Sequence, residues 1–129
     1  MERPILLIED NAQNRYLATF LLEQHGYLVQ AAPDGPSGIS AAQACDPVMI
    51  LLDIQLPGMD GYAVAQALGR IPALDAVPIV AVTSYAMPGD REKALAAGCT
   101  GYIEKPIDPD GFLPTLHRYG LPPRETGTR

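Results

Sequence analysis

The sequence is short of cysteine, histidine, basic residues and long apolar runs, and each shortage closes off a class of function. Cys45 and Cys99, and His25 and His117, are the only residues of their types in 129. None of the four stands at zinc-ligand spacing, and two unpaired buried thiols in a cytoplasmic protein are the expected arrangement. His25, just before Gly26, suits a helix C-terminus, where an imidazolium meets the negative end of the dipole. The start, MERPILLIED, holds a hydrophobic stretch of only four residues before two acids. Neither a signal peptide nor a transmembrane span is expected. Nine Lys and Arg stand against fifteen Asp and Glu, giving a net charge of -6. The nine are scattered, so there is no basic patch to neutralise phosphates, and direct contact with nucleic acid or an anionic membrane is not expected. Internal repeats and low-complexity segments are also missing.

What the chain does have is a repeated alternation. Five short aliphatic runs recur at Ile5–Ile8, Leu28–Ala32, Val48–Leu52, Ile79–Val82 and Thr100–Glu104. Their apolar character is mostly continuous, as in strands covered on both faces and therefore in a parallel sheet. A helix-like stretch follows each run. Asn11 to His25 places Leu17, Phe20 and Leu21 on one face and stops at Gly26. Asp34-Gly35-Pro36 opens a second helix, weakened by Gly38 and Ser40. Asp60 caps a third that runs to Arg70, and Pro88-Gly89-Asp90 opens a fourth ending at Gly98. Asp108-Pro109 supplies N-cap and N1 of a last helix. Pro114 would fall in its second turn, so that helix is expected to kink or to begin late. Strand and helix alternating five times give an α/β doubly wound fold with right-handed crossovers. Ligands of such folds bind at the carboxyl ends of the strands.

Those ends carry the chemistry. The first strand ends in Glu9-Asp10, the third in Asp53, the fourth in Thr83-Ser84 and the fifth in Glu104-Lys105-Pro106. Asp53 closes the apolar run VMILL, and a Pro-Gly turn and Asp60 follow it. Parallel strands bring all of these to one edge. Two carboxylates about 4 Å apart repel by roughly 4 kcal/mol at an effective dielectric of about 20. Lys105 offers one counter-charge to several acids. A hard divalent cation with oxygen ligands is the natural remedy, and Mg²⁺ suits few carboxylates with a phosphate as co-ligand. A lysine and a threonine hydroxyl opposite it then fit phosphoryl oxygens. One strand-end acid alone would be unremarkable, whereas a set spread over four strand ends points to a site.

Four motifs, IEDN at 8–11, LLDIQLPGMDG at 51–61, IVAVTSYAM at 79–87 and YIEKPID at 102–108, resemble those of two-component response-regulator receiver domains. The likeness runs from Ile5 to about Arg118. It implies a (βα)5 flavodoxin-like sheet of order 2-1-3-4-5 and a receiver domain over residues 1–119; the rest, 120–129, is Pro/Gly-rich without periodicity and reads as a short disordered tail. It also implies that Asp53 accepts a phosphoryl group from a histidine kinase or histidine phosphotransfer protein. Asp10 would bind Mg²⁺ directly, Glu9 would assist through water, and the Gln55 backbone carbonyl would complete the protein ligands. The family more often has Asp at the Glu9 position. Thr83 and Lys105 would hold phosphoryl oxygens, Tyr102 matches the switch aromatic, and Lys105-Pro106 matches a peptide bond that is usually cis. Gln55 and Tyr85 would flank the group, Gln55 able to orient a water and Tyr85 partly covering the site.

Signalling would then proceed by docking to a downstream protein, since no output domain follows residue 118. Alternatives are a receiver module cut from a hybrid histidine kinase and a pseudo-receiver scaffold without chemistry. The scaffold reading is disfavoured because every acid, Thr83 and Lys105 are present. An aspartyl phosphatase would need an acid where Gln55 stands. A flavodoxin-type redox protein would need an anion-cradling loop where EDNAQN places acids.

Overall fold

The structure is a computed structural model and describes residues 3–56, 58–84 and 87–123. Along the chain it runs β1 (Ile5–Ile8), α1 (Ala12–Gln24), β2 (Val29–Ala32), α2 (Gly35–Cys45), β3 (Met49–Asp53), α3 (Gly61–Gly69), a 3₁₀ turn (Pro72–Leu74), β4 (Ile79–Thr83), α4 (Asp90–Ala96), β5 (Gly101–Glu104) and α5 (Phe112–Arg118). The strands form one parallel sheet in the order β2-β1-β3-β4-β5. This is the flavodoxin-like order that the sequence motifs imply.

Both faces of the sheet are covered, which is why its central strands read as unbroken apolar runs. On one face Ile5, Leu7, Met49, Leu51 and Val80 pack with Ala18 and Leu22 of α1 and with Phe112, Leu113 and Leu116 of α5. On the other face Leu6, Ile8, Ile50, Leu52 and Ala81 meet Ala42 of α2, Val64 and Leu68 of α3, and Ala94 of α4. Gly38 lets α2 lie directly on β1, because a Cβ there would come within 2.5 Å of Ile8 Cδ1. Gly61 does the same at the site edge, where a Cβ would stand 2.5 Å from the Ile54 Cα. That close approach draws the start of α3 against the end of β3.

Helix starts follow their caps. The side chain of Asn11 accepts from the Asn14 N–H at 2.9 Å, and that of Asp34 accepts from the Ser37 N–H at 2.9 Å. Each satisfies an N–H group that the helix itself cannot. His25 stands at the end of α1, its Nδ1 2.8 Å from the Leu21 carbonyl oxygen.

Three sequence expectations need correction. Leu17 and Phe20 do not face the core; they are 37% and 45% exposed, and the buried face of α1 is Ala18 and Leu22. The last helix does not start at Asp108-Pro109 but at Phe112. Pro114 becomes its third residue, where its missing N–H would have had no helical partner and no kink is required. The packed chain also extends past residue 119. Leu121 is buried among the α1 and α5 residues, and the Tyr27 hydroxyl donates to the Pro122 carbonyl at 2.5 Å. The rest of the tail expected to be disordered, from residue 124 on, lies outside the described residues. So do Pro57 of the Pro-Gly turn and Tyr85. Among the described residues, no helix is long and apolar enough to cross a membrane.

Candidate functional site

The strand register brings the predicted residues to one edge. Ile8 pairs with Leu52, Asp53 with Val82, and Thr83 with Glu104. Glu9 therefore follows β1 at the level of Asp53, and Thr83 lies one residue beyond Asp53's partner. The Lys105 N–H donates to the Thr83 carbonyl at 2.7 Å, which carries the chain after β5 toward the same place. The Lys105-Pro106 peptide is cis.

Glu9, Asp53 and Thr83 are the buried polar or charged residues among those described, at 3%, 4% and 2% exposure. A folded chain does not bury two carboxylates in one crevice without compensation. Lys105 supplies part of it, with Nζ 2.8 Å from Glu9 Oε1 and 3.5 Å from Asp53 Oδ2. Backbone donors supply more. The Gln55 N–H reaches Asp53 Oδ1 at 2.9 Å, and the Asn11 N–H reaches Glu9 Oε2 at 3.2 Å. Burial still pushes the Asp53 carboxyl up from its usual range; the Gln55 N–H opposes this, the neighbouring Glu9 adds to it, and Lys105 offsets it in part. Asp10 is exposed at the rim, and ligand oxygens of Glu9, Asp10 and Asp53 all lie within 4.8 Å of one another. Three carboxylates against one ammonium leave the crevice net negative. All the donors are hard oxygens, so the set fits a small divalent cation.

Two features of the crevice were not legible beforehand. The Gln55 side chain bridges β3 and β4, with Nε2 donating to Thr83 Oγ1 at 2.6 Å and Oε1 accepting from the Ser84 N–H at 3.0 Å. Each end of that amide makes one of its two possible hydrogen bonds, so its direction is set by β4. Arg15 of α1 also reaches in, with Nη1 2.9 Å from the Glu9 carbonyl oxygen and 3.1 Å from that of Asp10. A side chain bound to backbone carbonyls leaves no pattern in a sequence. Tyr102 packs against the α3 and α4 side of the core; its hydroxyl is buried and has no hydrogen-bond partner among the described residues. The ring expected to turn inward on phosphorylation is thus already turned in.

The five-stranded parallel sheet with clustered acids, a hydroxyl and a lysine at its carboxyl edge places the chain among flavodoxin-like α/β domains with an acidic crevice at the strand ends. The chain belongs to the response regulator receiver domain family, whose model matches residues 5–117. It is 36% identical over 119 residues to the polar-differentiation response regulator DivK of Brucella ovis, covering 92% of this chain and 97% of that one. Chemotaxis protein CheY4 of Vibrio cholerae superposes with a TM-score of 0.87 at 28% identity, covering 92% of this chain and 99% of that one. The receiver domain of sensor histidine kinase PA1611 from Pseudomonas aeruginosa, solved with a magnesium ion coordinated in its active site cleft, gives 0.83 at 34% identity over 92% and 98%. Receiver domains of two-component signalling are switches rather than true enzymes, so the stand-alone phosphatase and redox readings are set aside.

Proposed function

We propose that the chain is a phosphorylation-controlled switch whose Asp53 takes a phosphoryl group from a histidine kinase or histidine phosphotransfer protein. The observation that carries this reading is the burial of Asp53 beside Glu9, Thr83 and Lys105. An oxygen of Asp53 attacks phosphorus as the phosphorus–nitrogen bond to the donor imidazole breaks, giving a mixed anhydride and a free histidine. Asp10, Asp53 and the Gln55 carbonyl would hold Mg²⁺, with Glu9 assisting through water. Bound there, the ion supplies charge neutralisation for the carboxylates and the incoming phosphoryl oxygens. Lys105 is placed to exchange part of its contact with Glu9 for a phosphoryl oxygen, and Thr83 to donate its hydroxyl. The reading is tested by adding beryllofluoride with Mg²⁺ and following backbone amides by NMR. Shifts centred on Asp53, Thr83 and Lys105 are expected; no response at these three would exclude it.

The switch runs from Thr83 to Tyr102. The phosphoryl group carries roughly -1.5 to -2 charges where the carboxylate carried one, and adds acceptor oxygens at the end of β3. A shift from 1:99 to 99:1 needs about 5.5 kcal/mol of preference for one state, more than one hydrogen bond gives. The Tyr102 hydroxyl, unpartnered among the described residues and costing about 1–3 kcal/mol to bury, marks the inward ring as a poised position that a movement of Thr83 can stabilise. Thr83→Ala should still accept phosphate but lose the coupled response at Tyr102. Tyr102 ring signals with and without beryllofluoride, compared in wild type and variant, decide this; equal responses refute the coupling.

The engaged Gln55 amide bears on turnover. Held to β4 through Thr83 and Ser84, the amide keeps one further N–H in a direction those bonds fix, which restricts how a water can be guided toward phosphorus. The phosphorylated protein should therefore persist for minutes or longer. Loss of the label within seconds, with no phosphatase present, would contradict this.

A further inference from the structure

Arg15 raises a question of sign. A guanidinium close to a cation site repels the cation, yet Arg15 lies against the backbone of the two residues that join Asp53 in the acidic cluster. Its benefit must outweigh that repulsion. The two carbonyls it grips belong to the peptide groups immediately before and after Asp10. Holding both planes fixes the direction of the Asp10 Cα–Cβ bond. This matters for Asp10 in particular. The Glu9 carboxylate is held by Lys105 and the Asn11 N–H, and that of Asp53 by the Gln55 N–H and Lys105. The Asp10 carboxylate makes no hydrogen bond or ion pair among the described residues, so its aim is set by its backbone alone. Arg15 is itself well anchored, because its N–H donates to the Asn11 carbonyl at 2.9 Å and so forms part of the first turn of α1.

We infer that Arg15 is a positioning residue: it braces the β1–α1 loop through the Glu9 and Asp10 carbonyls, so that the Asp10 carboxylate is aimed at the metal position before the ion arrives. This rests on the reading of Glu9, Asp10 and Asp53 as a Mg²⁺ site. Outer partners that orient a ligand commonly account for about 10–100-fold in metal affinity.

The test titrates the full chain with Mg²⁺ alone, with no phosphodonor, by calorimetry and by amide NMR of residues 9–11 and 55. Arg15→Met should raise the Mg²⁺ Kd about tenfold. Arg15→Lys keeps the charge but not the planar fork. It should weaken binding by a smaller factor, about threefold, and it decides the matter if the methionine variant does not fold. In an Asp10→Ala background Arg15→Met should change the affinity no further, because the brace acts through Asp10. A purely electrostatic Arg15 gives the opposite sign: Arg15→Met would bind Mg²⁺ more tightly and Arg15→Lys would match wild type. That result overturns the inference, as does wild-type affinity in both variants or an equal loss in the Asp10→Ala background. Wild-type protein that binds no Mg²⁺ overturns the metal-site reading and the inference with it, and is recognised before any variant is made.

Discussion

Asp53→Asn should take up no phosphoryl group under conditions that label the wild type completely. Asparagine keeps the side-chain shape but replaces the nucleophilic carboxylate by an amide, so the anhydride cannot form. The same variant should be more stable than wild type at neutral pH without metal. Burial and Glu9 raise the folded-state pKa of Asp53 above the ordinary carboxylate value it has in the unfolded chain. The ionised carboxylate therefore penalises the fold above that raised value and not below the ordinary one. The variant's advantage should be absent at the acid end, grow as pH rises through this window, and stay constant above it. The gain is expected to level off once pH exceeds the raised pKa, because Asp53 is then fully ionised in both the folded and the unfolded chain. Urea titrations across pH measure it. A variant less stable than wild type at pH 7 would show that Lys105 and the Gln55 N–H already balance the buried charge.

Lys105→Met should have the largest effect on the metal-free fold. Lys105 touches Glu9 and Asp53 together, and its side chain is only 10% exposed. Removing it leaves two buried carboxylates without their ammonium. Deleting one partner of a buried pair costs about 3–5 kcal/mol, and protonation of one carboxyl would relieve part of that. The destabilisation should grow as pH rises, because the orphaned acids are then ionised. Mg²⁺ should restore part of the loss by supplying the missing positive charge. Phosphorylation should slow by about a hundredfold, since an oriented cation facing the transferring group is lost. Unchanged stability at pH 7 would mean the ammonium does not compensate the crevice.

How far the sequence led depends on what kind of contact each residue makes. The five strands were legible because a sheet covered on both faces demands unbroken apolar runs, and their parallel order brings every strand end to one edge. Glu9, Asp10, Asp53, Thr83 and Lys105 could be read as one crevice for that reason alone. On α1 the large residues Leu17 and Phe20 suggested the core face, but the helix lies close to the sheet and small Ala18 fills that position. In α5 two signals competed. The Asp108-Pro109 start would have put Pro114 where it removes a helical bond, and the later start avoids this. Gln55 and Arg15 act through side-chain reach to a hydroxyl and to backbone oxygens, which follows no sequence period. The inward Tyr102 ring is a choice between rotamers, and residue identity does not make that choice.

Mg²⁺-dependent phosphoryl transfer to Asp53 is tested by intact mass. The chain is incubated with a small phosphoramidate or acyl-phosphate donor, with Mg²⁺ or with chelator, and weighed intact by mass spectrometry. A borohydride-treated sample, in which an aspartyl phosphate is reduced to homoserine, is then mapped by peptide sequencing. One added phosphoryl group is expected only when Mg²⁺ is present, with homoserine at position 53. An unmodified mass with Mg²⁺ and donor, or a label mapping to any other residue, would contradict it.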